Sequence, residues 1–146
     1  RIIDPRNAFI MYDLLKEVIK NGTARKAKTL KRPDIAGKTG TTNDLMDAWF
    51  AGFNSDIVTV TWMGYDQPKS LGNKETGSRA ALPIWIDYMR PLLKDYPIKN
   101  LVKPEGIIPY KINKKTGMTN NADENGFYEY FYEEYPPFDN SYFVIN

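Results

Sequence analysis

Lys38, Thr39, Gly40 and Thr41 stand in a row within AGKTGTTND (36–44), and their types suit an anion held beside a carbonyl under attack. If the segment is a strand, residues two apart share a face. Thr39 and Thr41 then project their hydroxyls together, while Lys38 and Gly40 face the other way. Gly40 has no side chain, so a backbone or a ligand can approach it closely. At a sheet edge the unpaired N–H groups would face a cleft. Hydroxyls, amides and a lysine would together receive a carboxylate and a developing oxyanion. On the triplet alone, a threonine-rich edge strand with a solvated lysine is the simpler reading. A phosphate-binding loop is excluded: it needs a glycine where Arg32 stands, and a helix directly after the Lys-Thr pair.

The triplet recurs as Lys115-Thr116-Gly117 within NKKTGMTNN (113–121). Polar turn formers surround this copy and nothing apolar flanks Lys115, so it reads as a β-turn with Gly117 at a positive φ.

Other chemistries are removed by composition. The chain has no Cys, which excludes a disulfide, a thiolate nucleophile and a Cys metal site. It has no His, which excludes Ser-His-Asp and Cys-His mechanisms within the chain and the commonest metal ligand. Acid–base work must fall to Lys, Tyr or a carboxylate. No metal and no cofactor is called for. A net charge of +2 points to neither nucleic acid nor a membrane surface, and no apolar run is long enough to span a bilayer. The first residue is Arg1, not Met, no signal peptide is present, and the chain reads as a piece of a longer protein.

The elements that must position Lys38 to Thr41 follow from punctuation and period. Asp4 and Pro5 open a helix whose Phe9, Ile10, Leu14, Val18 and Ile19 form a core stripe. Gly22 is expected to stop it in a left-handed conformation. The basic run TARKAKTLKR (23–32) reads as a solvated connector. Three strands follow: DIAGKTGTT (34–42), AWFAGF (48–53) and IVTVTWMGY (57–65). The second is apolar on both faces, hence central. The third sends Val58, Val60 and Trp62 one way and Ile57, Thr59, Thr61 and Met63 the other. Short connections favour an antiparallel meander. A helix from about Ser78 to Lys94, with Pro83 near its start or kinking it, can lay Trp85, Ile86, Met89, Leu92 and Leu93 on one sheet face. After Pro97 come a strand, a polar turn and an aromatic, acidic segment without clear period. That last segment reads as a sugar-binding surface or, preferably, as a tail packing on other parts of the parent protein. The fold class is α+β.

AGKTGTTNDLMDAWFAGF, then VTVTWMGYD, then ETGSRAALPIWIDYM closely resemble the last part of the transpeptidase domain of class A penicillin-binding proteins. PRNAFIM and GTARKA fit the segment before, and KPEGIIPYKINKKTG the segment after. The likeness covers roughly residues 1–117 and extends, more loosely, on to about residue 135. These are bifunctional, membrane-anchored enzymes that polymerise and cross-link peptidoglycan, and Lys-Thr-Gly belongs to their motif set. The resemblance implies roles. Lys38 would hydrogen-bond the serine of the second motif and place positive charge beside the nucleophile. Thr39 and Thr41 would bind the carboxylate of the stem peptide's terminal D-alanine, or that of a β-lactam. The Thr41 N–H would form half of the oxyanion hole, and Gly40 would keep the strand flush against the acyl group. Thr42 is a weaker binding candidate, and a structural one. Trp49, Trp62 and Trp85 read as core.

The resemblance also implies a periplasmic setting on the outer face of the cytoplasmic membrane, and a division into residues 1–96 of the transpeptidase domain and a C-terminal extension, 97–146. Rival outcomes stay open: a D,D-carboxypeptidase or serine β-lactamase of the same fold, or a non-catalytic module that binds cell-wall peptide or glycan. Of Ser55, Ser70, Ser78 and Ser141, none is followed three residues later by Lys, and Ser-x-Asn is absent. One wall of a site is therefore expected here, with the nucleophile in the remainder of the parent chain. In the family the three strands belong to a five-stranded sheet whose first strand pairs with IVTVTWMGY. That edge should stand open in this chain, with an apolar face beside it.

Overall fold

The computed structural model describes residues 2–119 and 125–137. The chain divides into two compact units, one of residues 11–101 and one of residues 1–10 with 102–146.

The larger unit holds the meander. β1 (Ala36–Thr41), β2 (Ala48–Phe53) and β3 (Val58–Met63) form an antiparallel sheet in the order β1-β2-β3. AWFAGF is thus central, as its apolar character requires. The register pairs Thr39 with Phe50 and Thr41 with Ala48 on one side, and Trp49 with Trp62 and Ala51 with Val60 on the other. Asn54 sets the β2–β3 turn: its side-chain oxygen accepts from the Asp56 and Ile57 N–H groups at 3.0 and 2.9 Å, a local side-chain substitute for a backbone turn.

One sheet face is covered by α2 (Leu82–Leu92) and the π-helical turn Gly77–Ala81 before it. Trp85 and Met89 are fully buried and Ile86 and Leu93 nearly so, with Leu92 partly buried beside them. Phe50 meets Trp85 edge to face at 5.0 Å, and the Trp85 indole donates to the Thr59 carbonyl at 3.1 Å. Pro83 lies in the first turn of α2, directly after the π-helical turn that runs into it. The opposite face is different. Trp49 is 42% and Trp62 45% exposed, and Val58 and Val60 more so. This corrects the expectation of three core tryptophans. Alternation sorts Trp49 and Trp62 to the face away from α2, where they pack against each other at 6.1 Å.

A 16-residue helix, α1 (Pro5–Lys20), begins in the smaller unit and continues into the larger. Asp4 accepts from the Arg6 N–H at 2.8 Å, as an N-terminal cap should. Phe9, Tyr12 and Ile19 are buried and Val18 partly so, but Leu14 is 47% exposed, so the stripe is narrower than its apolar letters suggest. Gly22 does not adopt the left-handed conformation; it is needed for space, because a Cβ would lie 2.8 Å from the Val18 carbonyl. The basic run forms a 3₁₀ turn, Arg25–Leu30, anchored by the fully buried Ala24 and Ala27. Just before β1, Arg32 and Asp34 form a buried ion pair at 2.6 Å. Arg32 also donates to the carbonyls of Leu93, Tyr96 and Pro97. The strand's entry is thereby tied to the end of α2.

In the smaller unit, β4 (Ile107–Ile112) pairs antiparallel with β5 (Phe127–Tyr132), Ile107 opposite Tyr132. The aromatic segment thus contains a strand, which its irregular apolar pattern did not announce. Tyr130 meets Phe9 edge to face at 5.0 Å, and Arg6 lies over Tyr132 and pairs with Glu134. The end of the aromatic tail, 138–146, lies outside the described residues.

Candidate active-site wall

Lys38, Thr39, Gly40 and Thr41 all lie on β1, at the edge of the sheet. Hydrogen-bonded and non-hydrogen-bonded pairs alternate along an antiparallel ladder. The Thr42 N–H donates to the Asp47 carbonyl at 3.1 Å, so in the same register the even rungs, 40/49 and 38/51, are the bonded ones. The N–H and C=O groups of Gly37, Thr39 and Thr41 consequently point away from β2, into the free edge. At Thr39 and Thr41, outward amides and side-chain hydroxyls occur on the same residues.

The faces divide as alternation requires. Gly40 shares its face with Trp49, whose Cβ would lie 3.1 Å from a Cβ at Gly40. Lys38 shares that side, and its ammonium folds to the edge and donates to the Thr39 carbonyl at 2.9 Å. Thr39 and Thr41 lie on the α2 side, and each hydroxyl has a partner. Thr39 Oγ1 is 2.7 Å from Thr23 Oγ1. Thr41 Oγ1 accepts from the Gly77 N–H at 3.0 Å, which leaves its own proton to be donated elsewhere. Gly77 sits on the strand so closely that a Cβ there would lie 2.4 Å from the carbonyls of Gly40 and Trp49.

Thr42 has turned to another task. Its hydroxyl accepts from the Asp47 N–H at 2.8 Å, and Asp47 accepts from the Trp62 indole at 2.8 Å. Together they close the short turn Asn43–Leu45, in which Asp44 and Leu45 adopt left-handed φ.

Thr23, Gly77 and Ser78 carry no signal in the sequence that ties them to β1. Thr23 lies 16 positions from Thr39 and Gly77 36 from Thr41. Only the fact that both sit in turn-forming stretches set them apart. Gly22, Thr23, Arg25, Lys26 and Ser78 line a cleft of about 330 Å³.

The second triplet lies in the turn after β4. The Asn113 side chain accepts from the Lys115 and Thr116 N–H groups at 2.8 and 3.0 Å, and Gly117 has φ +71°. Among the described residues no group of His, Cys, Asp and Glu is placed to hold a metal, and no helix is long and apolar enough to cross a membrane.

No family model matches the chain. Penicillin-binding protein 1A of Pseudomonas aeruginosa is 51% identical over 138 residues, which is 94% of this chain and 17% of that protein. Penicillin-binding protein 1A of Neisseria gonorrhoeae is 55% identical over 106 residues, 73% of this chain and 13% of that protein. The crystal structure of penicillin-binding protein 1A from Haemophilus influenzae superimposes with a TM-score of 0.86 at 36% identity, covering 94% of this chain and 22% of that one. The chain therefore spans under a quarter of the length of each. By sequence, by its α+β architecture and by the order of its motifs, the chain belongs to the penicillin-binding protein 1A family.

Proposed function

We propose that the chain is the C-terminal part of the transpeptidase domain of a bifunctional class A enzyme, and that it carries the Lys-Thr-Gly wall of the site. The parent would cross-link peptidoglycan stem peptides through an acyl-serine. The serine oxygen attacks the penultimate D-alanine carbonyl, the C–N bond breaks, and the terminal D-alanine leaves with a proton on its nitrogen. The amine of a second stem peptide then attacks the ester carbonyl, the bond to the serine oxygen breaks, and the amine's proton returns to that oxygen. β-Lactams would acylate the same serine. Thr39 and Thr41 bind the carboxylate of the leaving residue, the Thr41 N–H donates to the oxyanion, and Gly40 keeps the strand close to the acyl group. Lys38 swings from the Thr39 carbonyl to the serine of the second motif. Thr42 acts through the turn that it closes. The observation that carries this reading is the pairing, at Thr39 and Thr41, of outward amides with hydroxyls on a free sheet edge, in a chain of this family.

The remainder of the parent supplies the nucleophile and, against the open edge of β3, the first strand of a five-stranded sheet. Residues 1–96 belong to the transpeptidase domain and 97–146 form an extension. The site works at the outer face of the cytoplasmic membrane and needs no cofactor. The test is labelled penicillin on the full-length parent. Covalent labelling that is lost in Lys38→Ala is the expected result; labelling that survives this change would remove the role given to Lys38. Released D-alanine without cross-linked product would instead favour a D,D-carboxypeptidase, and rapid hydrolysis of penicillin a β-lactamase. Capture of this chain alone by peptidoglycan, with no labelling of the parent, would favour a binding module, for which the exposed Tyr128 and Tyr135 are the candidates.

A further inference from the structure

A hydroxyl can accept a hydrogen bond or donate one. At Thr41 the Gly77 N–H, 3.0 Å away, fills the acceptor side and leaves the proton to be donated. Gly77 opens the π-helical turn Gly77–Ala81, which runs straight into α2. A π turn is rare and occurs mostly as a single turn inside an α-helix, so this one needs a cause. Pro83 supplies the first. The π turn and Leu82 precede it, so it stands inside a continuous helical path. On an α-helical path a proline has no N–H to give and its ring collides with the carbonyl four residues back, here that of Arg79. A wider turn relieves the collision, and the Leu82 N–H accordingly reaches back five residues to the Gly77 carbonyl. Thr61 on β3 supplies the second. Its hydroxyl donates to the Ala81 carbonyl at 3.0 Å, in preference to the Phe50 carbonyl at 3.4 Å, and ties the end of the turn to the sheet. Ala81 is fully buried at that point.

We propose that Pro83 and Thr61 are positioning residues of the transpeptidase site: by holding the π turn they keep the Gly77 N–H on the Thr41 hydroxyl, which is thereby committed as a donor. The proposal rests on the reading of Thr41 given above. Pro83 lies on α2 and Thr61 on β3, both away from the free edge of β1, so each acts through Gly77. A π turn holds one residue more than an α turn. Conversion to α-helix rotates the residues before it by about 100° and shifts them by about 1.5 Å, which takes Gly77 off β1. The Thr41 hydroxyl then has to be oriented anew by each substrate, at a cost in rate.

The test measures the second-order rate of acylation by labelled penicillin in the full-length parent. Pro83→Ala restores an N–H at that position, and Thr61→Val removes the tie to Ala81. Each should slow acylation about five- to tenfold, up to the worth of one hydrogen bond from the Thr41 hydroxyl. Pro91→Ala makes the same substitution at an exposed position of the same helix, and Thr61→Ser keeps the hydroxyl. Both should change the rate less than about twofold. The decisive arm repeats Pro83→Ala and Thr61→Val in a Thr41→Val background. There each should cost less than about twofold more, because the hydroxyl that they orient is gone. A general loss of packing would slow both backgrounds by the same factor. Undiminished acylation in Pro83→Ala or in Thr61→Val, equal losses in the two backgrounds, or a control as slow as its partner variant overturns the proposal and leaves the transpeptidase reading intact. The Thr61 variants decide the matter alone if Pro83→Ala does not fold. A wild-type parent that labelled penicillin does not acylate overturns the transpeptidase reading itself.

Discussion

Lys38-Thr39-Gly40 and Lys115-Thr116-Gly117 are the same three residues in two settings. The first lies on a strand whose entry is fastened by a buried ion pair and whose backbone is pressed by Gly77. The second lies in a turn organised by the side chain of Asn113 two and three residues away. The first is held by contacts from distant parts of its unit, the second by its own neighbours. A triplet becomes a candidate site when long-range packing fixes which way its amides and hydroxyls point, and letters alone do not report that packing.

The comparison can be broken at several points. The largest effect is expected from Arg32→Ala. It leaves Asp34, which is fully buried, without its countercharge and should cost about 3–5 kcal/mol, read by denaturant unfolding of the parent's transpeptidase domain. Burial pushes the Asp34 carboxyl up, but the Arg32 guanidinium and the Lys99 N–H outweigh it, and the pKa lies below the ordinary carboxylate value. A lowered folded pKa means that the pair's contribution is full above the unfolded value and is lost as pH falls through the folded one. Wild-type stability should therefore drop more steeply than that of Asp34→Asn below about pH 4. A parallel decline would show that the pair does not titrate with unfolding.

Gly77→Ala comes next. The added methyl cannot share space with the carbonyls of Gly40 and Trp49, so the turn must lift from β1. A displacement of about 1 Å is worth about a hundredfold in rate, measured as the rate of penicillin acylation. Thr41→Val keeps the shape and removes the hydroxyl that Gly77 orients. Acylation should slow at least tenfold, the worth of one hydrogen bond to a charge, whereas Thr41→Ser should retain most of it. At the other triplet, Asn113→Ala should cost only about 1 kcal/mol and leave acylation untouched.

Much of the wall was legible in the sequence. Alternation sorted Thr39 and Thr41 from Lys38 and Gly40, and the apolar character of AWFAGF made β2 central. Gly117 took the positive φ that its turn requires. What failed depended on neighbours distant in sequence. The period of IVTVTWMGY separated two faces but could not say which one α2 would cover, so Trp62 and its partner Trp49 were read as core and are half exposed. Gly22 marked a helix end correctly, but close approach to Val18, and not handedness, is what requires glycine there. β5 was hidden because an aromatic run with no strict alternation has no period to read. Thr23 and Gly77 were missed as partners because a hydroxyl–hydroxyl contact and a backbone N–H leave no pattern in one sequence.

The central claim is that context, and not the triplet, makes the site. It is tested most directly by the two lysine variants side by side in the full-length parent, Lys38→Ala and Lys115→Ala, with the rate of labelling by fluorescent penicillin as the readout. The expected result is a loss of about a hundredfold or more for Lys38→Ala, in the range of removing one preorganised group at a reacting centre, and a change under about twofold for Lys115→Ala. Equal effects from the two variants, or undiminished labelling of Lys38→Ala, would contradict the account.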